Sequence, residues 1–94
     1  MKQQNVWIAY DLDSAEANYD DLYKWLAECN ALECTNSVAF IQNYEYNEDI
    51  CKEMAKDIRE HVKHVKRVYL LFKNAEGERR GRFIIGKREA NPWS

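Results

Sequence analysis

Asp11 and Asp13 are the residues of this chain whose type and spacing point most directly to chemistry. They close the apolar stretch Val6-Trp7-Ile8-Ala9-Tyr10. On an extended strand, side chains two apart share a face, which sets these carboxylates about 7 Å apart along the chain at a rise near 3.3 Å per residue. Mg2+ takes oxygen ligands and keeps several waters, so one or two carboxylates per chain suffice to hold it, and a symmetric pair of chains doubles the set. Such an ion would activate water and stabilise charge developing on a phosphate. The alternative is a pair of solvated acids at a strand end, beside a loop that begins at Ser14.

A second group is basic. Arg79, Arg80, Arg82, Lys87 and Arg88, with Phe83 among them, could follow a nucleic-acid backbone. Their strand could equally pair with a second copy's sheet edge, the arginines contacting the acidic half of that copy. His61 and His64 with Cys29, Cys34 and Cys51 contain no C-x-x-C pair and match no usual zinc spacing, so solvated helix histidines are expected. An odd number of cysteines without a secretion signal favours reduced thiols. Trp93, after Asn91-Pro92, is expected to dock on this chain or a partner.

The elements that must position these residues follow from periodicity. Residues 6–13 read as a strand with Val6, Ile8, Tyr10 and Leu12 on one face and Trp7, Ala9, Asp11 and Asp13 on the other. Asn18, Asp20 and Asp21 form a cap and an acidic first turn, and Leu22, Trp25, Leu26 and Cys29 make a helical stripe that Asn30 ends. Residues 31–35 and 38–44 read as two strands joined by a turn near Asn36-Ser37. Asn47, Glu48 and Asp49 open a second helix, whose stripe of Ile50, Met54, Ile58, Val62 and Val65 predicts helix through about Lys66. Residues 68–72 are a buried strand, 74–81 a turn region and 82–87 a last strand.

That order, βαββαβ with an extra C-terminal strand, predicts an α+β, ferredoxin-like sandwich with both helices on one face of an antiparallel sheet. Trp7 then lies on the open face, and a homodimer through that face is the simplest cover for it. Ninety-four residues make one domain, 1–94. A hydrophobic fraction of 46% with three Gly and one Pro excludes disorder and low complexity. Neither a leader nor an apolar run of about 18 residues is visible, so a cytoplasmic protein with no membrane contact is expected. The net charge of −2 hides a split: residues 1–58 carry −8 and residues 59–94 carry +6.

The strand ending Tyr10-Asp11-Leu12, the helix with Tyr19, Leu22 and Leu26, and the hairpin Ser37-Val38-Ala39-Phe40 resemble the small CRISPR-associated spacer-acquisition proteins. VapD-type toxin ribonucleases and SinR-like proteins are relatives in that superfamily, and the SinR-like branch is most similar. The resemblance implies a ferredoxin-like homodimer with Asp11 of each copy near the two-fold axis. Asp11 would be the catalytic residue and first ligand of Mg2+, with Asp13 assisting and no organic cofactor. It therefore implies a metal-dependent nuclease or nucleic-acid-handling dimer, linked to CRISPR adaptation, a toxin-antitoxin pair or another defence system. The alternative is a non-catalytic interaction dimer, an adaptor, antitoxin-like partner or inhibitor, whose acidic surface mimics nucleic acid.

Overall fold

The computed structural model describes residues 1–12 and 19–89. Asp13, the segment 14–18 with its expected cap Asn18, and Trp93 lie outside them. The elements are β1 (Lys2–Leu12), α1 (Tyr19–Glu28), β2 (Ala31–Thr35), β3 (Val38–Tyr46), α2 (Ile50–His61), β4 (Val65–Lys73) and β5 (Arg79–Ile85). The fold is α+β. The five strands form one sheet in the order β2-β3-β1-β4-β5, and each neighbouring pair is antiparallel.

Alternation along β1 settles the layers. Val6, Ile8, Tyr10 and Leu12 are buried, and they join Leu22, Trp25 and Leu26 of α1 and Ile50, Met54, Ala55 and Ile58 of α2 in one core. Trp7, Ala9 and Asp11 face the other way and stay half-buried. On β4, Val68 and Leu70 are core residues, while Tyr69 is half-buried and Leu71 is 37% exposed. No helix among the described residues is long and apolar enough to cross a membrane.

Both helix ends have local causes. Asn30 takes φ 57 after α1, the left-handed conformation that Asn tolerates. At the start of α2, Asp49 is extended and its Oδ1 accepts from the backbone N–H groups of Cys51 and Lys52 at 3.0 and 3.2 Å. Glu53 reaches back to accept from the N–H groups of Asn47, Glu48 and Asp49 at 2.7, 2.9 and 2.9 Å. The bonds from Asn47 and Glu48 hold the Glu53 carboxyl below its ordinary 4.5, against an opposing effect of desolvation. A depressed folded value stabilises the fold above the unfolded value, and that contribution is lost as pH falls through the folded one. Glu53→Gln is therefore expected to lower the melting temperature at pH 7 and to leave a smaller difference well below pH 4.5, a comparison thermal melts at the two pH values make.

Several boundaries differ from the sequence expectation, with β1 beginning at Lys2, β3 ending at Tyr46, β4 beginning at Val65 and β5 ending at Ile85, and two of the differences are informative. Helix α2 stops at His61 instead of reaching Lys66, because Val62 is extended at φ −123 and ψ 125 and His64 turns the chain at φ 60. Val62 stays buried at 3% exposure, so its apolar character serves the core from outside the helix. Strand β5 begins at Arg79 instead of Arg82, since Lys73 pairs with Arg79 and a short turn closes on Asn74. The Asn74 Oδ1 atom accepts from Glu76 and Glu78 N–H groups at 3.1 and 2.9 Å, and Gly77 takes φ 80.

Candidate small-molecule site

The open sheet face carries Asp11, the described member of the carboxylate pair singled out for chemistry. Asp11 stands opposite Arg67 in the β1–β4 register, and its Oδ2 accepts from the Arg67 guanidinium at 2.7 Å. Arg67 also lies 3.5 Å from Glu89, which pairs with Lys66 at 3.0 Å and is held below its ordinary value first by that lysine. The geometry at Asp11 is thus an ion pair across two strands. Next to it, Phe40 and Trp7 have centroids 4.7 Å apart, Tyr69 and Phe83 meet edge to face at 4.9 Å, and the Arg79 guanidinium lies 5.1 Å over Trp7.

The five basic residues of the C-terminal segment do not share one face. Arg79 reaches Trp7 on the open side. Arg82 stands opposite the core residue Leu70 and approaches Cys51 of α2, whose thiol burial pushes up and Arg82 pulls down. Arg80 pairs with Glu78 at 3.1 Å, and Lys87 and Arg88 follow β5 in exposed chain. The period of two splits a basic run into two sets pointing apart.

On the helix side, α1 and β2 leave a cavity of about 440 Å³. Tyr10 enters it from β1, Tyr23, Leu26 and Ala27 from α1, and Ala31, Leu32, Glu33, Asn36 and Ala39 from the β2–β3 hairpin. The β2–β3 register explains Glu33: it sits opposite Ala39, a core-facing position, on the edge strand of the sheet. Tyr19 stacks against Tyr23 at 5.7 Å. Burial raises the Tyr10 phenol, and Tyr23 and Glu33 raise it further, so it remains a neutral hydroxyl at pH 7. The aromatic-carboxylate combination suits a ligand that is partly apolar and positively charged. Local sequence does not reveal this site, because its polar member lies on a different element from each of its rings.

A second polar centre ties the helices to the sheet. Asp57 Oδ2 accepts from Trp25 Nε1–H at 3.0 Å and from the Tyr44 hydroxyl at 3.1 Å. His61 Nδ1 lies 2.8 Å from the Asp57 carbonyl oxygen and 3.2 Å from its Oδ1. Tyr44 is raised by burial and then by Asp57, and burial pushes the Cys29 thiol up to about 12. Asp57, Glu60 and His61 bring one ligand atom each within 4.8 Å of one another. The carboxylate of Asp57 is already committed to structural donors.

The model of the NNMT/PNMT/TEMT family, a methyltransferase family, matches residues 5–76. The chain belongs to that family. The match runs from the first strand through the β4–β5 turn and includes every residue lining the cavity under α1. Searches of curated proteins and of solved structures return no match. The resemblance to CRISPR spacer-acquisition proteins is overturned by this family match. It rested on 10–12, 19–26 and 37–40, and those residues encode a strand, an amphipathic helix and a hairpin that many chains share. The nuclease and nucleic-acid-handling function falls with it, and the interaction-dimer alternative gains no support.

A methyltransferase family implies an activated methyl donor, commonly S-adenosylmethionine. In open α/β sheets such nucleoside cofactors sit where parallel strands end, on a glycine-rich turn that lets the backbone approach them. All strand pairs among the described residues are antiparallel. Residues 13–18, after β1, contain no glycine, and Gly77, Gly81 and Gly86 all follow β4. Among the described residues, no lysine or arginine lines the cavity under α1 to meet an amino-acid carboxylate. The described residues do not fit an adenosyl donor.

Proposed function

We propose that this chain acts in methyl transfer on a small molecule held between α1 and β2. The family match across residues 5–76 carries this reading. In a methyl transfer the carbon–sulfur or carbon–nitrogen bond of an onium donor breaks while an acceptor lone pair forms the new bond, so one positive charge crosses to the product. Tyr10 and Tyr23 offer ring faces and Glu33 a carboxylate to positive charge in this cavity.

The test is label transfer. The purified chain is incubated with methyl-labelled onium compounds, S-adenosylmethionine and compact sulfonium and quaternary ammonium donors among them, together with small amine, pyridine and thiol acceptors. Chain-dependent label in an acceptor is the expected result, diminished in Tyr23→Ala. No chain-dependent label from any donor overturns the reading.

The same proposal takes the fold as ferredoxin-like with β5 added at the edge, supported by the β2-β3-β1-β4 order and the two strand-helix-strand halves. It also pairs two copies through the open face, supported by the half-exposed Phe40, Trp7, Tyr69, Leu71 and Phe83. Light scattering is expected to give twice the chain mass, reduced by Trp7→Ala, and a single-chain mass across the micromolar range removes the pairing.

A further inference from the structure

Among the described residues, the cavity between α1 and β2 combines aromatic and aliphatic walls with one carboxylate and no cationic lining residue. We propose that it binds a compact organic onium cation, a quaternary ammonium or sulfonium head on a short chain. This deepens the methyl-transfer reading and rests on it for the ligand's role in the reaction.

Three observations select that chemistry. Tyr10, Leu26, Ala27, Ala31 and Ala39 present apolar surface, which penalises a strongly hydrated ion, and an alkylated onium sheds water at far lower cost than a primary ammonium. Glu33 and Asn36 are the polar members of the lining besides the tyrosine hydroxyls, so an anion meets no charged donor there. The segments that supply the lining are acidic. All lining residues belong to the acidic part of the chain, and Leu26 and Ala27 lie in the last turn of α1, the negative end of its dipole.

The site's rim is not explained by the core. Tyr23 is 52% exposed and Glu33 is exposed, so neither is needed to close the interior. They meet at one mouth although they come from α1 and β2. Size sets the upper limit on the ligand: about 440 Å³ lies toward the small end of ligand cavities, which span roughly 300–1,000 Å³.

Choline and its neutral isostere 3,3-dimethylbutan-1-ol separate this proposal from a merely apolar pocket. Both are titrated into the full chain by calorimetry and by NMR of the tyrosine ring signals. Choline is expected to shift Tyr10 and Tyr23, with the neutral isostere at least about tenfold weaker. Glu33→Gln and Tyr23→Ala, both at exposed positions, are each expected to weaken choline about fivefold to tenfold without changing the melting temperature. Equal binding of the two compounds, no binding, or shifts confined to the Trp7 and Phe40 face would overturn the assignment. Label transfer without choline binding removes this site and keeps methyl transfer. Choline binding without label transfer keeps the site and removes methyl transfer.

Discussion

Trp25→Ala is expected to remove about 3–5 kcal/mol of folding stability, the cost of truncating a buried aromatic side chain. Trp25 is only 2% exposed and lies in the core between α1, α2 and the sheet. Its indole N–H also donates to Asp57 across 32 positions of sequence, so truncation loses packing and one of the bonds that dock the two helices together. Domains of this size hold about 5–15 kcal/mol in all, and each 1 kcal/mol moves the melting temperature about 4–8 °C. The variant should therefore melt roughly 12–40 °C lower.

Trp25→Phe separates the two contributions, since it keeps most of the volume and deletes the hydrogen bond. About 1–2 kcal/mol is expected for it, with a similar loss for Tyr44→Phe, whose hydroxyl donates to the same Asp57 oxygen. Urea unfolding monitored by circular dichroism measures all three with an unchanged slope. A loss under about 1 kcal/mol for Trp25→Ala would contradict the placement of the indole in the core.

Gly86→Ala is the second large effect. Gly86 has φ 71, where an L side chain costs roughly 1–2 kcal/mol. A Cβ there would also collide with the Lys66 carbonyl oxygen and stand 2.9 Å from Arg67 Cγ, and the carbonyl, being backbone of β4, cannot step aside without disturbing strand pairing. A total loss of about 3–4 kcal/mol is expected. Gly77→Ala is the internal control: its φ of 80 is similar, but nothing lies within 4 Å of the added carbon. It should cost only about 1–2 kcal/mol, and the difference between the two variants isolates the collision with β4. Equal losses would mean that Gly86 has room that the geometry denies.

The order of the elements was legible because its signals are local. Alternation from Val6 to Leu12 names the buried face of β1, and the Asp49 cap and the stripe of Ile50, Met54 and Ile58 name α2. The end of α2 was not legible, since Val62 and Val65 keep the helical spacing while serving the core and β4. The start of β5 depends on its pairing with β4, which no property of Arg79 or Arg80 records. A bulge adds a third case: Gln42 and Asn43 together oppose Asn5, Asn43 takes φ 54, and its N–H bonds Asn5 Oδ1 at 2.9 Å. The extra residue turns Tyr44 inward, where it reaches Asp57.

The same distinction governs the sites. The sequence by itself determined the α+β composition, the element order, the inward set on β1 and the uneven charge, because periodicity, capping and counting act over a few residues. It identified Asp11 as exceptional but not its partner, for Arg67 stands 56 positions away and arrives only through the β1–β4 register. Strand, helix and hairpin patterns were likewise too widely shared to name the family. Tertiary structure alone decided that Tyr10, Tyr23 and Glu33 line one cavity. Each is placed by a different element, and only the docking of α1 on the sheet edge makes their separate positions a single charged and aromatic surface.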